Sequence, residues 1–284
     1  MKLSGVFCLL CAAILSTAGP AHADAGWISI GGDVQPLSEN PTVVMKSEVV
    51  DVVVGREVVR VDCRYVFANE GPACRVRMGF PDEASEVDIE RRKQSPFGTF
   101  LTYDAYVEGK SVPVETVVET AKSGRSKIWH ANYVDFLENQ TINVRNVYTT
   151  CPNVTGVSSD NCSFVIGYIL STAASWHGKL DSAEINITFE KDVLPEPLQL
   201  VSYESLQDED SWKKTPRGAV CCDAPVTPSL SGRTIRLRLK DRKFGSEDDI
   251  TVVYGHINER QGDRFIENVR KKLIKEAIRK KGLL

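Results

Sequence analysis

Residues 57–81, EVVRVDCRYVFANEGPACRVRMGFP, decide the fold class of this chain. Val59, Val61, Cys63, Tyr65 and Phe67 alternate with Arg60, Asp62, Arg64, Val66 and Ala68. Period two gives a strand one apolar face and one largely wet face. After Asn69-Glu70-Gly71-Pro72 the alternation resumes, with Cys74, Val76, Met78 and Phe80 on one side and Arg75, Arg77 and Gly79 on the other. Turn residues between two alternating runs predict a β-hairpin. Pro81 predicts the end of the second strand, because it donates no ladder hydrogen bond.

Both cysteines of this stretch share its apolar face. In a hairpin turning near Glu70, Phe67 faces Cys74 and Cys63 faces Met78. Cys63 and Cys74 are then four residues out of register, roughly 13 Å apart at the usual strand rise. A disulfide needs Cα atoms within about 7 Å. A bulge would narrow the gap, so this pairing stays open.

Working outward, the N-terminus reads as a signal peptide over residues 1–23. Lys2 supplies the positive start, residues 6–15 the apolar core, and Ala21-His22-Ala23 the small-x-small cleavage pattern. Cleavage there removes Cys8 and Cys11 and leaves Cys63, Cys74, Cys151, Cys162, Cys221 and Cys222. An even count in an exported chain reads as a disulfide framework. The net charge of −3 implies no particular partner and gives no sign of nucleic-acid binding.

The rest of the chain is many short strands. Residues 42–54 are dense in valine, and Glu108-Gly109-Lys110 reads as a hairpin turn. Residues 121–127, AKSGRSK, read as an inter-domain linker. The expected division is a β-sandwich domain over residues 24–120, a second over 121–258, and a basic helix over 259–284. Cys151 and Cys162 flank a Gly/Asn/Ser loop between two strands, which makes them the best-placed disulfide pair. Closing such a loop is worth about 2–3 kcal/mol. Cys221-Cys222 then become the partners for Cys63 and Cys74, tying the early strands to the late chain. A strained vicinal bridge acting in redox chemistry is the competing reading.

Residues 263–281 carry a helical period. Phe265, Ile266, Val269, Leu273 and Ala277 fall on one arc, and Arg264, Lys271, Lys272, Lys275 and Arg279 on the other. Residues 260–281 hold nine Lys/Arg and three Asp/Glu. The basic arc, Lys271, Lys272, Lys275 and Arg279, is the candidate surface for docking on an envelope protein or an anionic membrane. The fold expected is mainly β, an antiparallel β-sandwich (one large or two packed) with a C-terminal amphipathic α-helix.

One further pattern runs through Trp129, Phe136, residues 144–148 (VRNVY) and residues 168–189. Tyr168, Leu170, Thr172, Ala173, Trp176 and Gly178 make a Tyr-x-Leu-x-Thr-small-x-x-Trp-x-Gly segment. With Asn69-Glu70-Gly71 and Met78-Gly79-Phe80-Pro81, the chain resembles a group of exported bacterial β-rich proteins of unknown function. The resemblance implies fold class and export, and it implies no activity.

No HExxH, GxSxG, Walker loop or GxGxxG occurs in the chain. His130, His177 and His256 show no metal-ligand spacing, and His130 and His177 each follow a tryptophan. The carboxylate runs Asp208-Glu209-Asp210 and Glu247-Asp248-Asp249 lack the EF-hand pattern. No catalytic residue, cofactor site or metal site is assigned. The function expected is a non-catalytic binding or structural module of the cell envelope, in the periplasm or outside the cell. The alternatives are a periplasmic enzyme with dispersed active-site residues and a redox protein using Cys221-Cys222.

Overall fold

The computed structural model describes residues 34–38, 42–83, 100–120, 126–158, 161–206, 213–245 and 248–257, with the single positions 268, 272, 275, 276 and 279. The valine-rich run forms β2 (Val43–Val54) and the alternating run forms β3 (Val59–Asn69). A tight turn joins them, closed by Gly55 N–H donating to the Val58 carbonyl at 2.9 Å. On its other edge β3 pairs with β9 (Thr141–Thr150). These strands sit inside an eight-stranded sheet. Its order is β15 (Ser229–Ser231), β16 (Thr234–Arg242), β12 (Leu180–Phe189), β2, β3, β9, β5 (Thr102–Val107) and β6 (Lys110–Val112). Neighbours run antiparallel except β12 and β2, which are parallel.

Residues directly opposite one another across strands share a face, so register fixes the sheet's two sides. One row runs Ile235, Ile187, Val52, Val61, Tyr148 and Tyr103 across six strands, and every member is buried. The next row on the same face runs Leu237, Ile185, Val50, Cys63, Asn146 and Ala105, also buried. Two smaller sheets cover this face. The first is four-stranded, with order β1 (Gln35–Pro36), β4 (Cys74–Glu83), β8 (Ser126–Phe136) and β7 (Glu115–Thr120). Phe80 brings it over β9 and β5, with its ring 5.0 Å from Tyr148 and 5.6 Å from Tyr103. The second is five-stranded, with order β10 (Asn153–Ser158), β11 (Asn161–Tyr168), β17 (Ile250–Ile257), β14 (Ala219–Asp223) and β13 (Gln199–Leu200). It lies over β3 and β12, where Tyr168 meets Tyr65 and Tyr254 meets Phe189 at 4.9 Å between ring centroids. A single apolar cluster runs through all three sheets.

The structure corrects several expectations. Residues 57–81 are two strands but not a hairpin: β3 belongs to the eight-stranded sheet and β4 to the four-stranded one. The period-two pattern fixes which side of each strand is buried, and it is silent on which neighbour takes the ladder bonds. Pro81 does not end β4 but pairs with Trp129 inside it. Residues 121–125 lie outside the described residues, yet the strands on either side pair with each other, Thr120 opposite Ser126. Strands from both sides of residue 120 build the eight-stranded sheet. By contrast, Glu108-Gly109 does close a two-residue hairpin, with Val107 opposite Lys110. Its φ values of 48° and 73° are the left-handed pair that such turns require.

The expected C-terminal amphipathic helix is corrected too. Among the described residues there is no α-helix of seven or more residues. Asn268, Lys272, Lys275, Glu276 and Arg279 have helical backbone and are all exposed, while Lys271 and the rest of that stretch lie outside the described residues. Helical periodicity becomes a stable element in water chiefly when its apolar face finds a partner. At the described positions the contact with the body is Lys272 Nζ at 3.6 Å from Glu57 Oε2, between two exposed side chains.

The crossing from β3 to β4 is organised by one buried side chain, Asn69. Its Nδ2 lies 3.0 Å from the Gly71 carbonyl, 2.7 Å from that of Pro72 and 3.0 Å from that of Leu137. Its Oδ1 accepts from Thr42 Oγ1 at 2.8 Å and from the Gly71 amide at 3.2 Å. Asparagine suits this corner because a short amide can satisfy both donors and acceptors of a turning backbone. Asn69→Ala leaves those groups unsatisfied while keeping both strands. It should lower the unfolding free energy by about 2–4 kcal/mol in urea titration. An unchanged midpoint would show that the corner does not depend on this side chain.

Candidate functional site

Two features of the molecule carry polar chemistry, and they lie on opposite sides of the eight-stranded sheet. The first is the sheet's other face, which among the described residues no sheet covers. The residues between the buried ones in β3, β9, β12, β2 and β16 point there, and they make rows of their own. One row runs Arg238, Glu184, Val49, Arg64, Arg145 and Tyr106, and its neighbour runs Arg236, Asn186, Asp51, Asp62, Val147 and Asp104. Like charges sit opposite each other in the middle of each row, Arg64 by Arg145 and Asp51 by Asp62, and opposite charges meet diagonally between the rows through direct contacts. Arg145 grips Asp62 with two bonds, Nε to Oδ1 at 2.8 Å and Nη2 to Oδ2 at 2.6 Å. Arg64 pairs with Asp51, and Asn186 Nδ2 donates to Asp51 Oδ1 at 3.0 Å. Arg236 Nε donates to Asn186 Oδ1 at 2.8 Å, and Arg238 Nε to Glu184 Oε2 at 3.0 Å. The Arg145 guanidinium also lies 5.7 Å from the Tyr106 ring centroid. The bond from Arg238 holds the Glu184 carboxyl below its usual value, and the bond to Asp62 raises the Arg145 guanidinium. The pairs are solvent-exposed, so each is worth well under 1 kcal/mol to the fold. What the network provides is a flat, pre-ordered array of guanidinium and carboxylate groups.

The second feature is a polar cluster sealed between the sheets. His130 Nε2 lies 3.4 Å from Asp82 Oδ2, and both side chains are 1% exposed. The His130 ring stacks on Tyr103 at 4.5 Å and lies 5.1 Å from Phe100. Cys63 Sγ is 3.6 Å from Tyr168 Oη, which is 3.4 Å from Tyr65 Oη. Burial pushes the Tyr103 phenol well above its usual value, with the nearby Cys63 sulfur adding to it. A thiol beside phenols and a histidine beside an aspartate are the side chains of nucleophilic and acid–base chemistry. Here all of these side chains are buried, Cys63 fully, and the His130 ring packs on Tyr103 and Phe100.

The sequence-predicted cysteines are dispersed by the fold. Cys74, Cys221 and Cys222 are thiols. Neighbours on a strand face opposite sides, so Cys222 packs on the main core while Cys221 joins a small cluster with Val165, Leu206, Ala219 and Val253. Cys63 meets Tyr168 instead of a late cysteine. The segment between Cys151 and Cys162 is a β-hairpin, β10 with β11, in which Cys162 sits opposite Gly156. The Cys162 side chain lies outside the described residues, and the register does not set Cys151 across from it.

The Tyr-x-Leu-x-Thr-small-x-x-Trp-x-Gly segment is scaffold. It runs from the end of β11 through a 3-10 turn, Ser171–Ser175. Trp176 Nε1 donates to the Val34 carbonyl at 2.6 Å and its ring lies 4.5 Å from Phe67. Asp249 accepts from the Ser171 amide at 2.9 Å, and Asp248 accepts from the Gly245 amide at 2.8 Å and pairs with Arg242. These two carboxylates therefore tether loops. Among the described residues no group of three or more His, Cys, Asp or Glu is arranged to hold a metal. His177 is exposed, and Asp208-Glu209-Asp210, Glu247 and the His256 side chain lie outside the described residues. The two-sided character of the arginine rows was readable from alternation alone. The buried cluster was not, although Asn146 carries a signal: it is the polar residue at the inward phase of β9, between Val144 and Tyr148.

No protein-family model matches the chain, and no curated protein does. Among solved structures it is similar to a protein of Legionella pneumophila provisionally described as a nutrient binding protein. That match has a TM-score of 0.55 at 15% identity and covers 79% of this chain and 71% of the other. At that identity the likeness is one of fold. Much looser matches include an M1 zinc metallopeptidase of Deinococcus radiodurans, with TM-score 0.35 at 9% identity, and leukotriene A4 hydrolase of Saccharomyces cerevisiae, with 0.37 at 8%. The chain spans 42% and 30% of those two proteins.

A partly buried thiol and two buried phenols predict an alkaline limit to stability. Burial pushes the Cys222 thiol up to about 12 and raises Tyr103 and Tyr254. In the unfolded chain these groups ionise near pH 8.5 and 10. The folded state therefore holds more protons at high pH, and stability present below about pH 8.5 is lost as pH rises towards 12. Urea midpoints should fall between pH 8 and 11, with Cys222 alone lowering the unfolding free energy by about 3 kcal/mol and the tyrosines adding to it. At pH 8 only about one Cys222 in ten thousand is thiolate, so native alkylation there should be slow and denaturant-accelerated. Rapid labelling of Cys222 in the native protein would contradict the raised thiol.

Proposed function

We propose that the protein is an exported, non-catalytic cell-envelope module that binds through the open face of its eight-stranded sheet. The observation that carries this reading is the placement of its chemistry. The charged rows of Arg64, Arg145, Arg236, Arg238, Asp51, Asp62 and Glu184 lie on the uncovered side of the sheet. Cys63, His130, Asp82 and Tyr103 are shut inside it. Substrate must reach catalytic groups, whereas a binding face has only to be presented. An array of arginines, of which Arg145 is bidentate to Asp62, with interleaved carboxylates suits a partner rich in carboxylate or phosphate oxygens and amide donors. The provisional nutrient-binding description of the Legionella protein supports a binding role. The residue 1–23 pattern and the resemblance to exported β-rich proteins support export to the periplasm or beyond.

The basic positions Lys272, Lys275 and Arg279, all exposed, are a second surface through which an envelope partner or an anionic membrane could be engaged. Fractionation of cells making the full chain separates the two surfaces. The double substitution Arg64→Glu with Arg145→Glu should keep the wild-type melting temperature within a few degrees and reduce retention in the envelope fraction by about tenfold. A chain lacking residues 259–284 should be retained like wild type. Full retention of the double variant, with release of the truncated chain, would move the binding role to the C-terminal segment.

A further inference from the structure

The buried row Leu237, Ile185, Val50, Cys63, Asn146 and Ala105 is apolar except near Cys63 and Asn146. Asn146 is 1% exposed, and among the described residues its Oδ1 has no hydrogen-bond partner. Ala105 is its opposite number on β5, and Tyr103, two residues along the same face, opposes Tyr148. Among the described residues Tyr103 Oη also has no hydrogen-bond partner, with the residue 4% exposed. Cys63 is the cross-strand neighbour of Asn146 on β3 and lies close enough to Tyr103 to affect its phenol. Two unsatisfied buried polar groups are thus carried on adjacent strands of one face, around a thiol already in contact with Tyr168 Oη.

We propose that Tyr103 Oη, Asn146 Oδ1 and the Cys63 thiol form an internal binding site for one ordered water molecule. The chemistry matches. A phenol can donate, an amide oxygen accepts, and sulfur accepts weakly. A water molecule in that position accepts from Tyr103 and donates one proton to Asn146 and the other towards Cys63. Buried waters typically make about three such bonds to groups that otherwise have none. The guest completes the hydrogen bonding of the core where β9 passes beneath the four-stranded sheet. It links β5, β9 and β3 across the layer on which Phe80 and His130 are stacked.

Tyr103→Phe tests the site with little disturbance, because the ring keeps its stacking on His130. If the hydroxyl is bonded to a held water, the variant's folding equilibrium constant should drop by about fivefold to tenfold in urea titration. If the hydroxyl is bare, its removal leaves stability unchanged or raises it, and the proposal fails. Oxygen-17 magnetic relaxation of the full chain gives an independent reading. The wild type should show one more long-lived water than Asn146→Leu or Tyr103→Phe, and equal relaxation in all three would overturn the site. A small polar solute in place of water is separated by refolding the wild type in plain buffer after exhaustive dialysis. Full recovery of stability supports water. Recovery only when cell extract is added back contradicts it.

Discussion

Burial of one face of the eight-stranded sheet is the constraint on which the rest of this structure depends. Six strands contribute to a continuous apolar row, Ile235 to Tyr103, and a row of that length must be covered. Two separate sheets cover it, each anchored by aromatic contacts: Phe80 on Tyr148 in one, Tyr254 on Phe189 in the other. Once that face is sealed, the opposite face is left to solvent. Most of the charge on these strands is there because period two directs it away from the core; Glu48, buried opposite Tyr65, is the exception on β2.

This arrangement explains why the chemically suggestive residues are buried. A Cys–Tyr–Tyr contact and a His–Asp pair look like reactive groups when taken alone. Their positions, on β3, β11, β8 and β4, are inward phases of strands that also bury valine, isoleucine and phenylalanine. They behave as polar members of a core, and their cost is offset by contacts within the cluster. The exposed arginines, unremarkable by composition, are instead held in fixed geometry by cross-strand carboxylates. Order on the open face comes from the same register that packs the closed one.

Much of this was legible in the sequence, and the parts that were not share a cause. The faces of β3 and β4 follow directly from residues 59–68 and 74–80. Their separation into different sheets does not, because alternation specifies a face and leaves the partner open. Asn69 decides that separation through bonds to Leu137 and Thr42, residues 68 and 27 positions away. The cysteine spacing suggested bridges, yet strand phase sends Cys221 and Cys222 to opposite sides and puts Cys63 against a tyrosine. The helical period near the C-terminus was real as a pattern, and helical backbone is described at Asn268, Lys272, Lys275, Glu276 and Arg279, but no α-helix of seven or more residues stands among the described residues. The motif around Trp176 marked an anchor for the N-terminal segment, at Val34.

The central claim is that binding uses the open arginine-rich face while the interior stays closed. Arginine footprinting with a guanidinium-selective reagent, on the full chain alone and on the same chain bound to isolated cell envelopes, tests it most directly. Arg64, Arg145, Arg236 and Arg238 should react in the free protein and be protected several-fold in the bound one, while Arg217 reacts equally in both. Equal modification of the four arginines in the two states would contradict the claim.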